Sequence, residues 1–363
     1  MLVPDVLAAT RSYEEWVSAC TPVTRAGRAD RRRLMAKDPF AFFRGSYFRW
    51  LQQWEKEAGP LADALPVLGV GDAHVENFGT WRDAEGRLAW GVNDLDEADV
   101  LPWTEDLVRL LASVLLAVRT SRLAIAPAPA ATAVLAGYAG TLDAGGEPVL
   151  LSGGSHDLRL DRAAPDGHRF WRSTAALPPA TDVPPGVAGA LRAALPEGTR
   201  DVRLVARTVG MGSRDHLRVV ALGAWNGGPV AREAKALAPP ATRWLRGDRP
   251  DVDAAGAGGA DLAGRIRHAP DPTLRFARGW VLRRLAPGCR RIELADLPAA
   301  RKEKRLLRAM GREIANVHLA SAATAELRAD LEARPEGWLL DAARGMVHAV
   351  RADFAAFAAG RRS

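Results

Sequence analysis

Two short polar loops, each fed by an apolar strand, constrain this chain more than any other feature. Gly71-Asp72-Ala73-His74-Val75-Glu76-Asn77 follows the apolar run Val67, Leu68 and Val70, and Asn93-Asp94-Leu95-Asp96-Glu97 follows a second run, Leu88 to Val92. Both runs read as strands, the second entered through a turn around Asp83 to Gly86. An acid, an imidazole and an amide in one turn after a strand occupy a position where loops commonly present catalytic groups. Asp94 comes seventeen residues after Asn77, so two strands joined by a short hairpin bring Asp72, Asn77 and Asp94 to one end. Oxygen donors of that kind suit magnesium, which takes one or two carboxylates together with phosphate oxygens and water.

The 363 residues, 48% hydrophobic and 26% charged, are enough for two lobes with separate cores. The first twenty residues lack the basic start and unbroken apolar run of a secretory signal, so a cytoplasmic location is expected. Leu110 to Val118, bracketed by Arg109 and Arg119, is about half the roughly 20 residues a bilayer requires, and no membrane partner is expected. Cys20 and Cys289 lack the paired spacing of a zinc or redox site. The net charge of +7 is spread along the chain without a basic and aromatic run, so no nucleic-acid partner is expected. A mildly basic surface does suit an anionic, phosphate-bearing ligand.

Periodicity gives an α+β chain. Tyr13 to Glu57 reads as mostly helical, with Phe40, Phe42, Phe43, Tyr47, Trp50 and Trp54 as core, and Glu105 to Arg122 and Ala130 to Leu142 read as further helices. The prolines between Leu177 and Gly186 have the composition of a linker. Val202 to Val209 and Leu217 to Leu222 then form a hairpin with a glycine-rich tip, followed by strands at Pro229 to Lys235 and Gly279 to Leu285. Asp251 to Gly264, rich in Ala and Gly, reads as a flexible loop, and Leu306 to Val317 and Trp338 to Phe357 as helices. The expected division is a helical part at 1–177 carrying both loops, a linker at 178–200, a β-rich part at 201–300 and returning helices at 301–363.

The loop Asp72-x-His74-x-x-Asn77, followed by a strand ending in Asp94-x-Asp96, resembles the aminoglycoside and choline kinase branch of the protein-kinase-like fold. The resemblance implies that Asp72 orients and deprotonates an acceptor hydroxyl, that Asn77 and Asp94 hold Mg2+, and that the donor is ATP, while His74, as a catalytic group or as a hydrogen-bonded tie of the loop, and Asp96, as a further metal ligand, are candidates from the loops themselves. It also implies that Asp106 braces the catalytic loop. As a longer signature, FFRG, GDAHVENFG, NDLDEA and DLVRLLASV resemble a bacterial domain-of-unknown-function family, number 2252, from about Arg31 to the C-terminal helices. That family brings no established activity with it.

A kinase also needs a glycine-rich loop over the phosphates and a lysine on a nearby strand. Gly210, Gly212 and Ser213 at the hairpin tip meet the first need, and Lys235 or Arg232 the second. In a strand these two basic residues face opposite sides, so only one reaches the phosphates. Both parts follow the catalytic loop in sequence, so a kinase-like fold here is circularly permuted, which the usual closeness of domain termini tolerates. No helix glutamate stands out as the lysine's partner. The favoured expectation is a phosphotransferase acting on an unknown hydroxyl. A metal-dependent phosphoesterase and a non-catalytic nucleotide-binding protein are its alternatives.

Overall fold

The computed structural model describes residues 5–119, 123–151, 166–291 and 303–360. The last residues of the helix expected to end at Arg122 lie outside them. The chain opens with four helices, α1 (Val6–Ser18), α2 (Arg25–Met35), α3 (Pro39–Gly45) and α4 (Tyr47–Glu57). Asp5, Thr24 and Asp38 start the first three by accepting backbone N–H groups of the opening turn. The aromatic stripe Phe40 to Trp54 is buried throughout, as the spacing predicts for a core face.

Next come β1 (Pro66–Gly69), β2 (Phe78–Arg82), β3 (Leu88–Val92), β4 (Asp99–Pro102), α5 (Trp103–Arg119), α6 (Pro127–Ala144) and the short β5 (Val149–Leu150). Here the pairing differs from the sequence reading. β1 pairs antiparallel with β4, Val67 opposite Leu101, while the hairpin partner of β3 is β2. β2 went unread because Phe78, Gly79, Thr80 and Trp81 are all buried, which erases the alternation that marks a strand with one wet face.

The next part contains α7 (Gly167–Ala175), α8 (Pro185–Ala194), β6 (Arg200–Ala206), β7 (Arg218–Trp225), β8 (Gly228–Ala236), α9 (Ala241–Leu245), α10 (Ala257–Arg265), β9 (Arg275–Ala277) and β10 (Trp280–Arg284). The five strands form one antiparallel sheet in the order β6-β7-β8-β10-β9. One face, with Val219, Ala221, Ala234 and Leu282, is covered by Val187 and Leu191 of α8 and by Leu195 just after it, so the segment read as a linker carries a packed helix. On the other face Val220, Leu222 and Ala231 meet Phe170 and Trp171 of α7.

The expected flexible loop at Asp251 to Gly264 is corrected to a short turn and α10. Its small residues permit close packing instead: a side chain at Gly258 or Gly259 would run into the carbonyl oxygens of Ala98 and Leu95. Finally α11 (Glu303–His318), α12 (Thr324–Glu332) and α13 (Trp338–Ala359) return to the first half, α11 against α6 and α13 against α5. Leu306, Leu307, Met310, Ile314 and Val317 are buried in the same core as α5 and α6. Among the described residues no helix is long and apolar enough to cross a membrane.

Candidate functional site

The loop after β1 is held from below by Asp106 of α5, a fully buried carboxylate that accepts from Val70 N (2.7 Å) and Gly71 N (2.9 Å). Asp106 also lies 3.1 Å from His318 Nε2 of α11, and His318 Nδ1 is 2.8 Å from the Tyr138 hydroxyl of α6. Three helices therefore fix one turn. Gly71 has φ +77, and a Cβ there would collide with the carbonyl of Glu97, so the two polar loops touch backbone to backbone at this glycine.

Asp72 accepts through Oδ1 from Arg109 Nε at 3.0 Å and from the same guanidinium's Nη2. Arg109 is fully buried, donates also to Phe43 O, and lies over the rings of Phe43, Tyr47 and Trp50 at 4.0, 4.7 and 5.0 Å. This residue escaped the sequence reading except as the end of an apolar run. An arginine set between Leu107-Val108 and Leu110-Leu111 in the interior of a helix was the signal for it. His74 accepts the Glu76 N–H on Nδ1 (3.1 Å), and its Nε2 stands 3.8 Å from Asp72 Oδ2. Burial, with Arg44, Arg291 and Arg109 nearby, holds its pKa well below the usual value, so the ring is neutral and ties the loop together.

Asn77 donates from Nδ2 to the carbonyls of both Asp72 and Asp94, each at 3.0 Å. Its orientation is thereby fixed, and its buried Oδ1 has no hydrogen-bond partner. Asp94 Oδ1 lies 2.9 Å from Lys235 Nζ, Asp96 contacts the same ammonium, and Arg291 stands 3.5 Å from Asp94 Oδ2. Burial opposes ionisation of both acids. Lys235 and Arg291 nevertheless hold Asp94 well below the usual carboxylate range, while the Asp94 charge helps burial push Asp96 up. Glu97 is pushed up to about 8 by burial, against the Ala241 N–H it accepts at 2.7 Å and with the charges of Asp72 and Asp96 adding to the rise.

Asp72, His74, Asn77, Asp94 and Asp96 line one cavity of about 70 Å³, with Gly212 and Ser213 of the hairpin tip on its far wall. Lys235 reaches the two acids from β8. Gly210, with φ +89, lines an adjoining cavity of about 460 Å³. Arg232 is not brought into this group: by the alternation of β8 it shares a face with Ala234, the face α8 covers. Among the described residues no group of three or more His, Cys, Asp or Glu side chains is arranged to hold a metal. The donors that fit a magnesium ion are Asn77 Oδ1, an orphaned buried oxygen, and the ionised Asp94, the sparse protein set this ion takes when phosphate oxygens complete its shell.

Fold and site together define an α+β protein whose acid and amide loops face a basic, glycine-tipped antiparallel sheet. Residues 28–152 match the model of a family described as an uncharacterized protein conserved in bacteria (DUF2252). The match runs from α2 to just past β5, taking in Asp72, His74, Asn77, Asp94 and Asp96, and stops before the glycine-rich tip and Lys235. No curated protein and no solved structure matches the chain.

Proposed function

We propose that this protein is an ATP- and magnesium-dependent phosphotransferase of the kinase-like type, circularly permuted, that acts on a hydroxyl acceptor. The observation that carries the reading is Asn77: its amide nitrogen ties the Asp72 loop to the Asp94 loop and leaves its buried oxygen without a hydrogen-bond partner, in a residue that lines the cavity between them. The supporting parts follow the order such an enzyme needs on its sheet, a glycine-bearing tip between the first two strands and a buried lysine on the third. A bound magnesium would neutralise charge on a transferring phosphoryl group. Asp72, fixed by Arg109, accepts the acceptor's proton, and Asp106 keeps that loop in place.

The missing two-metal ligand set among the described residues weighs against the phosphoesterase alternative. The non-catalytic alternative draws on one observation: Lys235 is paired with Asp94 and Asp96 rather than with a glutamate on α9 or α10. A thermal-shift screen of nucleotides with and without magnesium tests the proposal, because a ligand of the native state raises its melting temperature by mass action. A magnesium-dependent rise with ATP is expected. No rise with any nucleotide would overturn it.

A further inference from the structure

Asp72 and His74 both line the cavity of about 70 Å³, and each keeps one polar atom that makes no hydrogen bond among the described residues. Two nitrogens of Arg109 take Oδ1 of Asp72, which leaves Oδ2 on a side chain 21% exposed. His74 is 3% exposed, and its Nδ1 accepts the Glu76 N–H, so the ring proton sits on Nε2. That Nε2 lies 3.8 Å from Asp72 Oδ2, too far for a hydrogen bond. Other acids of the same wall are engaged, Glu14 with Arg31 and Arg32, and Asp94 and Asp96 with Lys235. A donor and an acceptor of fixed orientation therefore stand side by side. A nearly buried N–H without an acceptor is costly, which points to a ligand oxygen as its partner.

The width of the gap decides what fills it. One hydroxyl that accepted from Nε2 and donated to Oδ2, both at ordinary lengths, would subtend an angle of about 85° at its oxygen, well short of the tetrahedral spread between lone pair and proton. Two oxygens on adjacent carbons, gauche and about 2.8 Å apart, span the same gap with both contacts at ordinary length. The oxygen facing His74 has to accept, because Nε2 offers only a donor there. An ammonium has three donors and no acceptor, so an amino group in that place would meet His74 donor to donor.

We propose that His74 selects the acceptor, which is a neutral vicinal diol: the reacting hydroxyl donates to Asp72 Oδ2, and the oxygen on the adjacent carbon accepts from His74 Nε2. Polyols and sugars carry such a pair, whereas amino alcohols place an ammonium where an acceptor is needed. The inference rests on the reading of Asp72 as the group that meets the acceptor hydroxyl, but its test requires neither nucleotide nor magnesium.

The test is an NMR titration of the full chain, read at the histidine ring nitrogens, with three compounds that differ in one group: propane-1,2-diol, butan-2-ol and 1-aminopropan-2-ol. Butan-2-ol replaces the second hydroxyl by a methyl group of similar size, and the amino alcohol replaces it by an ammonium. The diol should shift the His74 Nε2 signal and bind about tenfold tighter than either analogue, the scale of one hydrogen bond to a group otherwise left unpaired. His74→Leu removes the donor and should bring the diol and butan-2-ol to about equal affinity. His74→Gln keeps a side-chain N–H and should retain the preference for the diol. Should His74→Leu fail to fold for want of the tie to Glu76, the wild-type series and His74→Gln still decide. Equal affinity of the wild type for diol and butan-2-ol would overturn the inference, as would tighter binding of the amino alcohol or a preference for the diol that persists in His74→Leu. Failure of the phosphotransferase reading registers separately, in the magnesium-dependent thermal shift with ATP.

Discussion

Lys235 Nζ lies 2.9 Å from Asp94 Oδ1, joining the third strand of the five-stranded sheet to the loop that follows β3. The lysine is 2% exposed, and the same ammonium contacts Asp96, so one buried cation serves two acids of unequal proton affinity. In the proposed enzyme the phosphates and the metal come to this pair, and Lys235 exchanges an acid for phosphate oxygens.

That placement separates Lys235 from Arg232, three positions earlier and on the other side of the strand. Lys235→Met should weaken ATP binding by about tenfold or more, the usual scale for losing a charge-assisted contact. Arg232→Met should leave ATP affinity near the wild-type value and affect stability only. Isothermal titration of both variants decides the matter, and the reverse order would move the phosphate contact to Arg232.

Asp94→Ala should abolish the magnesium-dependent part of the ATP thermal shift, because the ion would keep only Asn77 Oδ1 and the weakly acidic Asp96 on the protein side. Lys235 still has Asp96 as partner in this variant, so the fold should persist. Equal magnesium-dependent stabilisation in variant and wild type would remove Asp94 from the metal site.

A pH dependence follows from Glu105, buried at 1% exposure on α5 and accepting from the Tyr47 hydroxyl at 3.0 Å. Burial, reinforced by the neighbouring Asp106, pushes its pKa up to about 8, above an ordinary value of 4.5. Its contribution to stability is complete below that ordinary value. It is lost as pH rises toward about 8, because the unfolded chain ionises freely while the folded one resists. Urea unfolding at pH 5 and pH 8 should show a smaller loss in Glu105→Gln than in wild type, by at least about 1 kcal/mol. Glu97, raised in the same direction, acts in both proteins and cancels in the comparison. Equal losses would mean that Glu105 is ionised in the fold.

The two loops were legible because chemistry and local order coincide there: Asp72, Asn77 and Asp94 are close in sequence and meet through one hairpin. The hairpin tip and the lysine strand were legible from alternation, since α8 and α7 bury the two faces of that sheet with different residues. Partners drawn from distant segments were not legible. Nothing local announces that β1 pairs with β4, that His318 and Tyr138 stand behind Asp106, or that Arg44, Arg207 and Arg291 share one cavity. Those contacts depend on how helices and sheet are stacked, and spacing along the chain does not encode it. Composition misled at Gly258 and Gly259, where small residues mark close approach of backbones rather than mobility.

Asp72 offers the sharpest separation of the three functional readings. In a phosphotransferase it orients the acceptor hydroxyl and takes its proton, so Asp72→Asn keeps the size of the side chain and removes the base. The substitution also takes the negative charge away from Arg109, which is fully buried, so a lower melting temperature is expected, and assays belong well below it. Asn retains a carbonyl oxygen to accept from Arg109 Nε, now 3.0 Å from Oδ1, which should keep the loop near its present position. Nucleotide and magnesium affinity should survive, because Asn77, Asp94 and Lys235 are untouched. Turnover should fall by about a hundredfold or more, the usual range for loss of a positioned general base. Were Asp72 instead a ligand of a hydrolase metal pair, metal affinity would fall with activity. Were the protein a non-catalytic nucleotide binder, the wild type itself would show no turnover. Calorimetry of magnesium and nucleotide beside phosphate transfer, on wild type and Asp72→Asn, reads all three outcomes. Lost metal binding, or activity left near the wild-type level, would each defeat the role of Asp72 as base.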